Sequence, residues 1–331
     1  MILFGLFISE AYSWWGHSHM VIAKIASTYL TKQETKKIEK LINYGTLETS
    51  NIVSSATWQD DLKDQGKFYG MGNWHFVDTP VILPNTNISK IHIAPDTYNI
   101  TTYLTDAMDC LLNPTTADPW VFAYHLRSII HFVGDIHTPH HTCQMYCDDI
   151  PNGDLGGNKY YLNCQFGSAC NNIHFLWDSA GLTYPIFNPL IPLYIDEFNQ
   201  NVTEIMEKFP EDYFSDKKFD LHAFKPYSWA NESNKIANEI GYATPINKRP
   251  SDEYFSQVQN KSQERIALAG IRLGYLLKDL LNKVDFQIDT PPAVTVREIV
   301  VWVIDALLLI GTIILTILVN KKRAYSVMAI Q

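Results

Sequence analysis

The sequence predicts a mainly α-helical single domain followed by one C-terminal transmembrane helix. Three observations lead there. Apolar residues recur at helical spacing in several long stretches, alternating strand-like runs are few, and a long apolar run lies close to the end of the chain. The 331 residues, 46% hydrophobic and 13% aromatic, supply ample material for one large core.

The elements follow in chain order. MILFGLFISEAYS, residues 1–13, reads as a signal peptide with cleavage after Ser13, although it is short and lacks a basic start. A domain over 14–288 follows. Helical patterns cover about 17–43 and 97–112. Residues 119–136 (PWVFAYHLRSIIHFVGDI) open with Asp118 and Pro119 as cap and first-turn residues and are apolar nearly all round, which suits a central buried helix. Residues 142–171, rich in Gly, Asn, Asp and Cys, and the Pro-rich 184–192 read as loops. Residues 253–284 repeat apolar positions at Ile266, Leu273, Leu277, Leu280 and Val284, the pattern of a second amphipathic helix. A stalk over 289–298 leads to the span 299–319, IVVWVIDALLLIGTIILTILV, and a tail over 320–331. Lys321, Lys322 and Arg323 after the span make the tail cytoplasmic and the domain lumenal or extracellular, a single-pass type I arrangement. A removable lipid-anchor signal fits less well, because such tails normally end in the apolar stretch. Asp305 lies near the lumenal end of the span, within reach of water.

A secretory route agrees with five Asn-x-Ser/Thr sequons, at Asn87, Asn99, Asn201, Asn231 and Asn260. The five cysteines all fall between Cys110 and Cys170. In an oxidising compartment Cys143–Cys147 and Cys164–Cys170 are candidate bridges, with the pairing open and one thiol left over. No internal repeat and no protein partner is evident.

The formal charge of −9 excludes a protein that holds nucleic acid on a basic face. Phosphate would have to be attracted by something other than side-chain cations. HFVGDIHTPHH, residues 131–141, concentrates four of the 11 histidines in one stretch. His131 and Asp135 are four apart and leave one face of the predicted helix. Thr138-Pro139 ends that helix and frees His141 to point elsewhere. NNIHFLWDSAG repeats the spacing with His174 and Asp178, while Asp60 in ATWQDDLK and His75 in NWHFVD add two candidates in aromatic settings. Zinc is held by such imidazole and carboxylate sets, with a position left open for water at catalytic sites.

The order WWGHSH, WQD, HFVD, HFVGDIHTPHH, GGN and NIHFLWD resembles the zinc-dependent class I nucleases of plants and fungi, a family that includes the 3′-nucleotidase/nucleases of some protozoa. The resemblance spans roughly residues 14–285 and implies a helical domain with three zinc ions in a cleft. It implies one zinc on Asp60, His75, His131 and Asp135, and a second on His141, His174 and Asp178. The third would take His19, a bridging oxygen of Asp135, and the amino and carbonyl groups of an N-terminal Trp14, five positions before His19. Signal removal would then be a maturation step, since a nitrogen within the chain cannot serve as an amine ligand. The resemblance also implies Asp60 orienting or deprotonating water, Lys63 facing the phosphate where many members carry Arg, Phe76 stacking on a base and Asp78 accepting from its edge. Gly156, Gly157 and Asn158 match the GGN of the cleft wall. His137 and His140 receive no ligand role, and His17, His92, His125 and His222 are structural on this reading. The implied substrates are single-stranded DNA or RNA, cut to 5′-mononucleotides, and 3′-nucleotides, which lose phosphate.

Two other functions compete. A zinc-dependent phospholipase C shares the three-metal arrangement and the N-terminal tryptophan, but usually separates that tryptophan further from the first histidine and usually carries Glu where this chain has Asp178. An inactive metal-binding receptor ectodomain would not need every ligand position matched. Tyr325-Ser-Val-Met328 fits a loose endosomal sorting pattern, which leaves cell surface and lysosome-like compartment equally open.

Overall fold

Helices dominate the computed structural model, which describes residues 15–44, 50–64, 66–95, 97–113, 119–164, 170–184, 192–216, 219–284 and 303–317. In place of one helix over 17–43 there are two, α1 (Gly16–Thr28) and α2 (Lys32–Ile42). The break is a capping box: the Thr31 hydroxyl accepts from Glu34 N at 3.2 Å, and the Glu34 carboxylate accepts from Thr31 N at 2.7 Å. A 3-10 turn, Ser54–Thr57, leads into α3 (Trp58–Asp64), and another, Tyr69–His75, follows it. Strand β1 (Pro80–Ile82) comes next, then α4 (Ile100–Leu112), capped by the Asn99 side chain.

Helix α5 (Pro119–Ile136) occupies the predicted position and buries Leu126, Ile129, Ile130, Phe132, Val133 and Ile136 almost completely. It packs against α1, α2, α3 and α4. The short turn Pro139–His141 follows, entered through an extended Thr138. The predicted loop 142–171 contains strand β2 (Gln144–Tyr146), which pairs parallel with β1 so that Pro80 stands opposite Gln144. Three-residue strands are too short to show alternation, so no local pattern signals them. The remaining helices are α6 (Ile173–Asp178), α7 (Ile195–Lys208), α8 (Glu211–Asp216), α9 (Pro226–Ile236) and α10 (Asp252–Lys283). The last two also pack on α5, and α10 lies along α1.

A buried polar clamp joins α9 and α10 to the end of α5. Ser233 Oγ donates to the Ile136 carbonyl at 2.7 Å and Arg265 Nε to the His137 carbonyl at 3.2 Å. Both satisfy acceptors that a helix end leaves open. Arg272 grips Glu232 with two nitrogens, at 2.7 and 2.8 Å, and also donates to His137 Nε2 at 2.9 Å.

The cysteine expectation needs correction. Cys164 and Cys170 are bonded, but Cys143 and Cys147 are free, as is Cys110. Extended strand β2 runs between Cys143 and Cys147, and four residues at about 3.3 Å each hold their backbones roughly 13 Å apart. A disulfide needs less than about 7 Å.

The signal peptide 1–13, Trp14, the stalk 289–298 and the tail 320–331 lie outside the described residues. Of the span 299–319, residues 303–317 are described and form a helix whose side chains are exposed. Among the described residues no helix is long and apolar enough to cross a membrane.

Candidate metal centre

Helix α5 supplies the first pair. His131 and Asp135 are fully buried, and His131 Nδ1 lies 2.6 Å from the Ala56 carbonyl. A carbonyl only accepts, so Nδ1 carries the proton and Nε2 is turned inward, 3.2 Å from Asp135 Oδ2 and 3.8 Å from Asp60 Oδ1. Helix α3 brings Asp60. The turn before β1 ends in His75, whose Nδ1 lies 2.9 Å from Asp135 Oδ2 and 3.7 Å from Asp60 Oδ1. From α1, His19 places Nε2 3.2 Å from Asp135 Oδ1 and stacks its ring on His131, centroids 4.0 Å apart. Gly134 makes room for that ring, because a Cβ there would sit 2.6 Å from His19 Nδ1.

The second group forms where the chain turns after α5. His141 Nδ1 donates to the His75 carbonyl at 2.8 Å, and His174 Nδ1 donates to the Gly156 carbonyl at 2.7 Å. Their Nε2 atoms face Asp178, at 3.9 and 3.1 Å. Backbone acceptors thus fix the tautomer and tilt of three of the imidazoles, the arrangement that metal-bound histidines commonly have. Trp15 N donates to the Asp178 carbonyl at 3.2 Å, which brings the first described residue against α6; Trp14 itself is outside the described residues.

Three sets of donor atoms therefore converge, each within 4.8 Å: His19, His131 and Asp135; Asp60, His75 and His131; and His141, His174 and Asp178. These residues fit a metal. His141 Nε2 and both oxygens of Asp178 are buried and make no hydrogen bond, a costly state for an imidazole and a carboxylate that a bound cation relieves. Imidazole and carboxylate at this spacing suit zinc.

The electrostatics divide the centre in two. Burial opposes the charge on Asp135, but His131, His19 and His75 hold its pKa well below the ordinary value. Burial likewise opposes charge on His131, yet Asp135 and Asp60 outweigh it and push the imidazole up to about 9. Asp60 is held at about 2 despite burial, by His131, Lys63 and His75. In the second group burial wins, lowering His141 to about 3 and raising Asp178 to about 6. The first group is an ion network whose His131 carries a proton that a metal would displace, whereas in the second burial keeps His141 uncharged and weakens the acidity of Asp178.

The donor sets lie beneath a cleft of about 400 Å³. Lys63 lines it with Nζ 3.0 Å from Asp60 Oδ1, and Phe76, Asp78 and Asn158 line its walls. Asn158 Nδ2 donates to the Leu155 carbonyl at 2.9 Å. Tyr69 and Leu155, both more than half exposed, also line the cleft and were not singled out from the sequence. Gly134 was missed as well, although a glycine inside an otherwise apolar helix is a signal of close approach. His137 is buried in the clamp behind the centre, and His140 is buried at the cleft, packed on Tyr242 and Trp177.

The sequons differ in setting. Asn87, Asn231 and Asn260 are exposed, Asn201 is half-buried beside His17, and Asn99 is buried as the α4 cap.

Residues 14–282 match the family model described as S1/P1 Nuclease. The chain is 27% identical over 289 residues to Endonuclease 4 of Arabidopsis thaliana, covering 83% of this chain and 91% of that protein. It is 25% identical over 288 residues to Endonuclease 3 of the same plant, with 83% and 91% covered. Nuclease P1 of Penicillium citrinum is 25% identical over 173 residues, half of this chain and 57% of that protein.

Proposed function

Because the chain belongs to the S1/P1 nuclease family, we propose that it is a zinc-dependent phosphoesterase that cuts single-stranded DNA or RNA to 5′-mononucleotides and removes phosphate from 3′-nucleotides. The observation that carries this reading is the set of buried His and Asp donors converging beneath a cleft that is open to solvent. Three zinc ions on these donors, the third completed by Trp14, would polarise the phosphate and activate water. They would also solve the charge problem of an acidic chain, since phosphate is drawn to the metal and no basic face is needed.

The chain's own residues divide the remaining work. Asp60, whose carboxylate lies 3.0 Å from the cleft-lining Lys63, orients the attacking water and takes its proton. Lys63 places a cation beside the phosphate. Phe76 stacks on an unpaired base and Asp78 accepts from its edge, which favours a single strand, whose bases are free to leave the stack. Asn158 lines the same cleft. The protein follows the secretory route, loses residues 1–13, and is anchored by 299–319 with the enzyme lumenal or extracellular.

The test uses secreted protein ending near Asp289: zinc per chain, N-terminal sequence, and release of 5′-nucleotides from single-stranded DNA and of phosphate from 3′-AMP, before and after chelation. The expected result is a Trp14 start, about three zinc ions and both activities abolished by chelator. Zinc-loaded protein that cleaves neither substrate would sink the reading, and hydrolysis of phosphatidylcholine instead would move the chain to the phospholipases.

A further inference from the structure

Between two of the metal donors the chain forms a ridge at the mouth of the cleft. Asp60 lies on α3 before it, and His75 ends the turn Tyr69–His75 after it. Tyr124 OH donates to Met71 Sδ at 3.6 Å and ties that turn to α5, which carries His131 and Asp135. The ridge is thus anchored on three elements that supply metal donors.

Its backbone closes tightly. Gly66 N donates to the Asp61 carbonyl at 3.2 Å, Phe68 N to the Leu62 carbonyl at 3.5 Å and Met71 N to the Phe68 carbonyl at 3.0 Å. A Cβ at Gly66 would sit 2.4 Å from the Leu62 carbonyl oxygen, so the close approach needs a glycine. Lys67 follows with φ of +58°, an unfavourable conformation for a residue that carries a side chain. What this strained turn displays is Lys67, Phe68 and Tyr69, all exposed, the two rings by 53% and 62%. Strain that holds two aromatic rings in water serves neither packing nor solubility, and points to a ligand. There is room for one: a Cβ at Gly70 or Gly72 would meet nothing within 4 Å, and Tyr69 and Gly72 line the cleft together with Lys63.

An exposed aromatic face accepts any base, because every base has a π-face, and a cation beside it suits the phosphate of the same nucleotide. A 3′-mononucleotide has a single base, which Phe76 takes in the nuclease reading. A strand brings a second base, which must leave the metal centre over an edge of the cleft. We propose that Lys67, Phe68 and Tyr69 form the subsite for that second nucleotide, the rings stacking on its base and Lys67 pairing with its phosphate. The ridge then sets the preference for strands over mononucleotides. The proposal rests on the nuclease reading for its ligand. Continuity with the cleft favours a strand over a lipid surface as the occupant, since Tyr69 belongs to the cleft wall itself.

The test compares kcat/KM of the zinc-loaded full-length protein on single-stranded decathymidylate and on 3′-AMP. Phe68→Ala should cost about tenfold on the oligonucleotide and less than about twofold on 3′-AMP, at unchanged zinc content. Phe68→Trp, which restores a flat face, should recover most of the loss, and Phe68→Leu, apolar without one, should not. Fluorescence anisotropy of a cleavage-resistant phosphorodithioate decathymidylate gives a second readout. Phe68→Ala should weaken its binding about tenfold, and Lys67→Ala should lower the slope of log affinity against log salt by about 0.7. Equal losses on both substrates, or none on the oligonucleotide, overturn the subsite. So does a Phe68→Ala variant that loses hydrolysis of phosphatidylcholine vesicles instead, which would make the ridge a lipid contact. Unaltered protein that cuts neither substrate but binds the strand through Phe68 leaves the ridge standing and removes the nuclease reading; cleavage of both substrates that ignores Phe68 does the reverse.

Discussion

Lys63 stands where the cleft chemistry is most exposed to a single substitution. Its ammonium is 3.0 Å from Asp60 and 3.8 Å from Asp64, and only 12% exposed. Burial works against its charge, yet Asp60 and Asp64 raise its pKa above the ordinary value, so it is a cation across the physiological range. Lys63→Met should lower kcat/KM toward 3′-AMP by about a hundredfold at unchanged zinc per chain. Lys63→Arg, which keeps the charge, should retain most of it. Loss of zinc in the Met variant would instead make Lys63 a support for Asp60. Asn99 makes a different prediction at the same scale. Its Oδ1 accepts from Thr101 N at 2.9 Å and its Nδ2 donates to the Thr97 carbonyl at 3.2 Å, so the nitrogen that would carry a glycan is engaged and buried. Glycopeptide mass spectrometry of secreted protein should find sugar on exposed Asn87 and none on Asn99. A glycan on Asn99 would contradict its role as the α4 cap.

The clamp from α9 and α10 onto the end of α5 carries a prediction about pH. Burial alone would raise the pKa of Glu232, but Arg272 and Arg265 hold it below its ordinary value of 4.5. A depressed carboxylate contributes stability that is fully present above the unfolded pKa and is lost as pH falls through the folded one. Glu232→Gln should therefore cost roughly 3 kcal/mol at neutral pH, since it leaves two buried guanidinium groups short of a partner. The gap in Tm between variant and parent should be constant from pH 6 to 8 and should narrow below about 4.5. A gap unchanged at pH 3 would assign the loss to packing. The clamp also marks the limit of what could be read from sequence at this scale. Helix α5 was legible to the residue because its stretch is apolar nearly all round and is bounded by Pro119 at its start and Thr138-Pro139 after its end. The break between α1 and α2 was legible in principle, as Thr31 and Glu34 spell a capping box, but the apolar period runs across it and hid the stop. The parallel contact of β1 with β2 joins segments 64 positions apart through three residues each, and no local pattern announces such a partnership. His and Asp at i and i+4 declare a shared face, so the pairs of the metal centre could be seen early. The Ala56, His75 and Gly156 carbonyls that orient the rings are backbone groups, and a sequence does not distinguish one backbone carbonyl from another.

The chain separates at the scale of the whole molecule into one unit ending at Asp285 and another beginning at Phe286. Each candidate metal donor among the described residues belongs to the first unit. Protein truncated after residue 288 should thus be released to the medium and keep kcat/KM within about twofold of the full chain, while the full chain should sediment with membranes and need detergent for release. Activity that depends on residues 289–331 would overturn the separation of catalysis from anchoring. The packing of α1 along α10 has one more consequence. Gly270 of α10 lies so close to α1 that a Cβ there would meet Ile25 Cβ at 2.6 Å, and it is α1 that holds His19 over Asp135. The ring that completes one donor set is thus set in place by nearly the last helix to leave the ribosome. A nascent chain has the His131 stretch long before it has this seat for His19, so the donor set of His19, His131 and Asp135 takes its final packing only after α10 has been made.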